Sequence, residues 1–208
     1  SLKFVVYLFL VTVFSIASAG SYDDFFVAII RDDAGNVRAL LDRGMDPNSR
    51  DPKGQPALAV AIRRESPRAF AALLARPDID VNALNAAGES PLMLAAIAGD
   101  IEACRQLIER GAQVRKAGWA PIHYAASGPE TRIVRLLLDR GADIDAEAPN
   151  GMTALMLASQ SAPETTVDLL LVRGADTRRR NQRGLQAIDL AEQAGRDWLV
   201  ERLEKLPH

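Results

Sequence analysis

The sequence predicts an all-α solenoid of six helix-turn-helix units joined by β-hairpin-like loops, with the first and last units as caps. Three observations carry this. A segment recurs with Phe25, Leu58, Leu92, Ile122, Leu155 and Ile188 as landmarks, 33, 34, 30, 33 and 33 residues apart. Three residues past each landmark stands an alanine: Ala28, Ala61, Ala95, Ala125, Ala158 and Ala191. Fifteen past each stands a leucine: Leu40, Leu73, Leu107, Leu137, Leu170 and Leu203. A fixed period with two invariant columns marks stacked supersecondary units, each of which buries its apolar face against its neighbours.

Taken in chain order, the first 19 residues stand apart. They carry one early positive charge, Lys3, then an apolar run, and close with Ala17-Ser18-Ala19. This is the pattern of a secretory signal, with cleavage expected after Ala19. The alternative is a membrane tether. The strongly apolar part, Phe4 to Phe14, is 11 residues, against about 20 for a spanning helix.

The repeat units are expected over 22–50, 51–84, 85–114, 115–147, 148–180 and 181–206 of a domain that runs 20–208. In each, the first helix begins near the landmark, and alanine lets it approach its partner helix closely. Gly54, Gly88, Gly118, Gly151 and Gly184 stand four before a landmark, at the turn into that helix. Pro91 and Pro121 fit the first helical turn, where a missing N–H is harmless. The second helix presents Val37, Phe70, Cys104, Val134, Val167 or Val200, with the column leucine three residues later on the same face. Gly44, Gly111, Gly141 and Gly174 follow an arginine where a left-handed cap ends a helix. The second unit departs, with Arg76-Pro77 in place of that pair. The 30-residue step leaves three residues missing between Val114 and Gly118, which predicts a shortened hairpin.

These segments resemble the ankyrin-repeat family over residues 22 to about 205. The family's T-P-L-H-x-A-A motif stands here as SPLMLAA (90–96), APIHYAA (120–126) and TALMLAS (153–159), with PALAVAI (56–62) and QAIDLAE as weaker copies. Degraded end copies suit capping units, which have one face in water. The resemblance implies that His123, at the motif histidine, hydrogen-bonds nearby backbone and ties the turn to the helix. It also makes Ala95, Ala125, Ala158, Leu107, Leu137 and Leu170 structural.

Little in the chain suggests chemistry. With two histidines and one cysteine in 208 residues, a metal cluster or an internal disulfide has no ligands. No catalytic constellation is assembled and no cofactor is expected. The net charge of −2 argues against nucleic acid as a partner. Cys104 falls in the apolar column, which makes it a small buried hydrophobe before a reactive thiol. The acidic stretch 139–147 and the basic run 178–183 read first as solvated loops.

What remains is surface. The family resemblance implies a concave face lined by hairpin tips and first helices. Three before each landmark, a position expected to project from the hairpin reads Tyr22, Gln55, Glu89, Trp119, Met152 and Leu185. The last three form an apolar series, with Trp119 either a partner anchor or a cover for the short hairpin. Helix positions expected on the same face are Arg63, Arg64, Ile97, Ala98, Ser127, Gln160 and Gln193. The expectation is a monomeric, exported, periplasmic or secreted module that binds another protein without catalysis and has no membrane contact once its signal is removed. Exported bacterial relatives imply an immunity-type inhibitor or an accessory factor in oxidative-stress defence. The structural alternative is a scaffold tethered by an uncleaved N-terminal helix.

Overall fold

The computed structural model describes Gly20 and residues 22–206, so the expected signal and its cleavage point lie outside the described residues. The chain divides into two compact units at Gly88 and Glu89. The first holds α1 (22–30), α2 (Ala34–Asp42), α3 (Ala57–Arg63) and α4 (Pro67–Leu74). The second holds α5 (Pro91–Ala98), α6 (Ile101–Glu109), α7 (Pro121–Ser127), α8 (Thr131–Asp139), α9 (Ala154–Ser161), α10 (Glu164–Val172), α11 (Ala187–Gln193) and α12 (Asp197–Glu204). The fold is an all-α repeat solenoid, and its one isolated β-bridge among the described residues joins Arg50 to Pro56.

Helices of about two turns are too short to persist alone, because the nucleation cost is spread over few bonds. Packing holds them. In the second unit α5, α7, α9 and α11 stack in one layer, and α6, α8 and α10 lie beside one another in a second. The alanine column is buried throughout, at 0 to 5 % exposure. Leu73, Leu107, Leu137 and Leu170 are fully buried, while Leu40 and Leu203, in the first and last helix pairs, keep 8 % and 6 % exposure.

Local chemistry starts and stops each helix. Ser90, Asp100 and Thr153 accept the backbone N–H three residues on, at 3.3, 2.9 and 3.4 Å. Asp32 reaches from the first helix pair to accept the Ala69 N–H of α4 at 2.8 Å. The glycines after the second helices take left-handed φ, +96° at Gly44 and +85° at Gly174. In the second repeat Ala75 ends α4 in ordinary helical geometry. Arg76 then turns its guanidinium to Asp42 at 3.2 Å.

The connecting loops are tight turns. The Asp51, Ala148 and Asn181 N–H groups each donate to the carbonyl four residues on, at 2.9 Å. The shortened loop of the fourth repeat is held by side chains. Lys116 Nζ donates to the Trp119 carbonyl at 3.4 Å, and Arg115 Nε donates to the Gly141 carbonyl.

Candidate protein-binding groove

The inner helices of the second unit expose one column of residues to solvent: Ile97 on α5, Ser127 on α7, and Gln160 on α9. Beside this column opens an apolar cavity of about 260 Å³, lined by Ile97, Trp119, His123, Tyr124, Ser127 and Leu157. Trp119 is half-buried, in the turn that the missing residues shorten. Its ring meets His123 edge-on at 5.6 Å between centroids and Tyr124 at 6.3 Å. The tryptophan therefore packs against α7 and walls the cavity at once, so the two readings of this residue are not exclusive.

His123 forms the floor and is 1 % exposed. Its Nδ1 accepts the Ala120 N–H at 3.0 Å, and its Nε2 lies 2.8 Å from the Ala146 carbonyl oxygen. That network assigns the proton to Nε2 and a neutral ring. Burial is the main cause that pushes the imidazole below the ordinary value of 6.5, and backbone groups at Ala146 and Met152 oppose it. Both ring nitrogens are thus committed to backbone, which ties the entry of α7 to the next loop. The same helix position carries other acceptors in other repeats. Asp189 Oδ2 takes the Gln186 N–H at 2.7 Å, and the Met93 sulfur takes the Ser90 N–H at 3.4 Å.

The expected apolar series Trp119, Met152, Leu185 does not form a surface. Met152 is 7 % exposed, with its sulfur 3.3 Å from the amide nitrogen of Asn181. Leu185 is half-buried, its backbone bonded to Asn181 at both ends. At Met152 the turn closes on the carbonyl, with the Ala148 N–H donating to it at 2.9 Å, and the side chain folds inward. Tyr124 and Leu157 were missed as groove residues. They stand two past their landmarks, in a column that reads Val27, Val60, Leu94, Tyr124, Leu157 and Leu190. A column apolar in all six repeats looks like core, yet these two are only half-buried. Arg63 and Arg64 are exposed at the end of α3, in the first unit.

The other chemical candidates are buried or paired where they stand. Cys104 is fully buried, and burial pushes its thiol up to about 12. The basic run is compensated locally: Arg179 pairs with Glu147 at 3.0 Å, Arg178 with Asp176 at 3.3 Å, and Arg180 donates to the Gly184 carbonyl at 2.7 Å. Among the described residues no group of histidine, cysteine and carboxylates could hold a metal ion, and no helix is long and apolar enough to cross a membrane.

The short helix pairs, the invariant columns and the motif histidine define a repeat protein, and the chain belongs to the ankyrin-repeat family. The family model described as ankyrin repeats in three copies matches residues 71–148, 114–181 and 132–205. Among solved structures the chain is similar to one from the complex of the Bd0816 predatory endopeptidase of Bdellovibrio bacteriovorus with immunity protein Bd3460. That likeness has a TM-score of 0.78 and 23 % identity, over 88 % of this chain and 98 % of the other. At this identity the likeness is one of fold. Comparison with curated proteins finds no match.

Proposed function

We propose that the chain is an exported, non-catalytic inhibitor of the immunity type, which holds a partner protein at the Trp119 groove. The observation that carries this is the cavity of about 260 Å³ walled by Ile97, Trp119, Tyr124 and Leu157. Aromatic walls around a recess of one side chain's size are where interfaces concentrate binding energy. An ankyrin fold supplies recognition surface. The similar fold found in a complex of an endopeptidase with an immunity protein supports an enzyme as the class of partner.

The test is capture from a periplasmic extract with residues 20–208 as bait, run beside an Ile97→Arg bait. Ile97 is 39 % exposed, so the substitution leaves the core intact. A protein retained by the first bait and lost from the second, and whose activity falls on binding, supports the reading. Equal capture by both baits removes the groove from it. Export is tested by N-terminal sequencing of the chain from its host, with Gly20 the expected first residue. Retention of residues 1–19 would favour the tethered scaffold.

A further inference from the structure

We infer that His123 is an acid-sensitive latch for the Trp119 wall of the groove, which stands closed only while the imidazole is neutral. The inference rests on the groove as the partner site only for its biological consequence. The latch itself is a property of the free chain.

The geometry is specific. The Ala120 N–H points at Nδ1 from 3.0 Å, and Ala120 directly follows Trp119. Nε2–H donates to the Ala146 carbonyl at 2.8 Å. A proton added to the ring must sit on Nδ1, because Nε2 already carries one. Two N–H donors then face each other across that distance, and the contact that fixes the Trp119-Ala120 backbone to α7 becomes repulsive. The indole, whose ring lies 5.6 Å from this imidazole and 6.3 Å from Tyr124, moves with that backbone when the turn opens.

Backbone groups at Ala146 and Met152 favour the cation, but burial outweighs them. Neither α5 (PLMLAAIA) nor α9 (ALMLASQS) carries an ionisable group, and α8, which also packs on α7, carries Arg135, Arg132 paired with Glu130, and Asp139 paired with Arg173. In the short loop the charged groups are Arg115, on the Gly141 carbonyl, and Lys116, on the Trp119 carbonyl. Beside Ala146, Asp145 accepts the Asp176 N–H at 2.9 Å and Glu147 pairs with Arg179. Asp143 accepts the Asp145 N–H at 3.1 Å. On α7 itself the neighbour is Tyr124, whose hydroxyl donates to Glu89 at 3.3 Å. The imidazole's two ring bonds go to backbone groups, so the charge has no paired carboxylate in contact. Below its titration point the cheaper state is an opened turn with His123 hydrated and Trp119 released.

The chain has two tryptophans and two histidines. A Trp198→Phe, His208→Gln background therefore leaves Trp119 and His123 as sole reporters. The full chain is titrated from pH 8 to pH 4.5, following Trp119 emission, the His123 imidazole resonances and the far-ultraviolet helix signal. The expected result is one step in Trp119 emission, toward a more solvated indole, at the midpoint of the His123 titration and below 6.5, with the helix signal unchanged. His123→Asn provides the control. Asp189 shows that a short side chain with an oxygen at this position receives the N–H, and asparagine does not titrate. In that variant the step disappears. A step that persists in His123→Asn, that coincides with general helix loss, or that is missing while His123 titrates overturns the latch. An intact latch with no captured partner would refute the proposed function alone, and a captured partner with no step would refute the latch alone.

Discussion

At the scale of single residues, His123 and Trp119 carry separable roles. Removing the imidazole takes the side-chain partner from the buried Ala120 N–H and from the half-buried Ala146 carbonyl. His123→Ala should therefore lower unfolding stability by about 1–3 kcal/mol, measured by chemical denaturation at pH 7.5. The sign of the pH dependence follows from the lowered folded value. The unfolded histidine binds its proton near 6.5, and the folded one binds it less readily, so the unfolded chain holds more protons between the two values. The contribution of the neutral ring is complete above about 6.5 and is lost as pH falls toward the folded value, by up to about 1.4 kcal/mol per pH unit. His123→Asn should flatten that part of the profile. Trp119→Ala should weaken partner affinity by about thirtyfold, the equivalent of about 2 kcal/mol. Its edge contacts with His123 and Tyr124 predict a smaller stability loss, about 1 kcal/mol. Unchanged affinity with a lowered melting temperature would leave the tryptophan a purely structural residue.

At the scale of elements, the junction between α7 and α8 is tight. A β-carbon at Gly128 would stand 2.9 Å from the Ala96 carbonyl oxygen, a backbone atom with little freedom to move. Gly128 has an extended φ of −90°, so the demand for glycine comes from this close approach and not from backbone handedness. Gly128→Ala should cost about 1–3 kcal/mol by overpacking, read as a shifted denaturation midpoint with an unchanged slope. The entry of α9 offers a milder case. Thr153 is buried and accepts the Met156 N–H, so Thr153→Ala should cost about 1 kcal/mol. An effect at Gly128 no larger than that at Thr153 would mean the α7–α8 junction yields easily.

At the scale of the whole molecule, stability is a sum over neighbouring repeats. Leu137 is 0 % exposed within the second unit, and Leu203, in its last helix, is 6 % exposed. Leu137→Ala should cost about 2–5 kcal/mol, and Leu203→Ala clearly less, because α12 packs chiefly on α11 and Leu203 keeps 6 % exposure. Thermal melts of the two variants beside the parent check the order. Equal small shifts would contradict the stacking register. Ion pairs between successive repeats, such as Arg76 with Asp42 and Arg179 with Glu147, are solvent-accessible and add little each.

The sequence by itself determined the architecture. Its period, its alanine and leucine columns and its glycines set where each helix stops and which face it buries, because those features act locally or through identical neighbours. The role of the inward histidine was legible only through the family resemblance, which implies a backbone hydrogen bond at that motif position. The groove was not. Met152 and Trp119 occupy the same column, yet one is buried under a closed turn and the other walls a cavity. The difference comes from three missing residues, which remove the ordinary turn and leave the indole to pack on its own helix. Tyr124 and Leu157 sit in a column that reads as core, and their partial exposure arises from the space between adjacent inner helices. That space depends on how whole repeats stack, which no single period of the sequence encodes, and only the tertiary structure decided it.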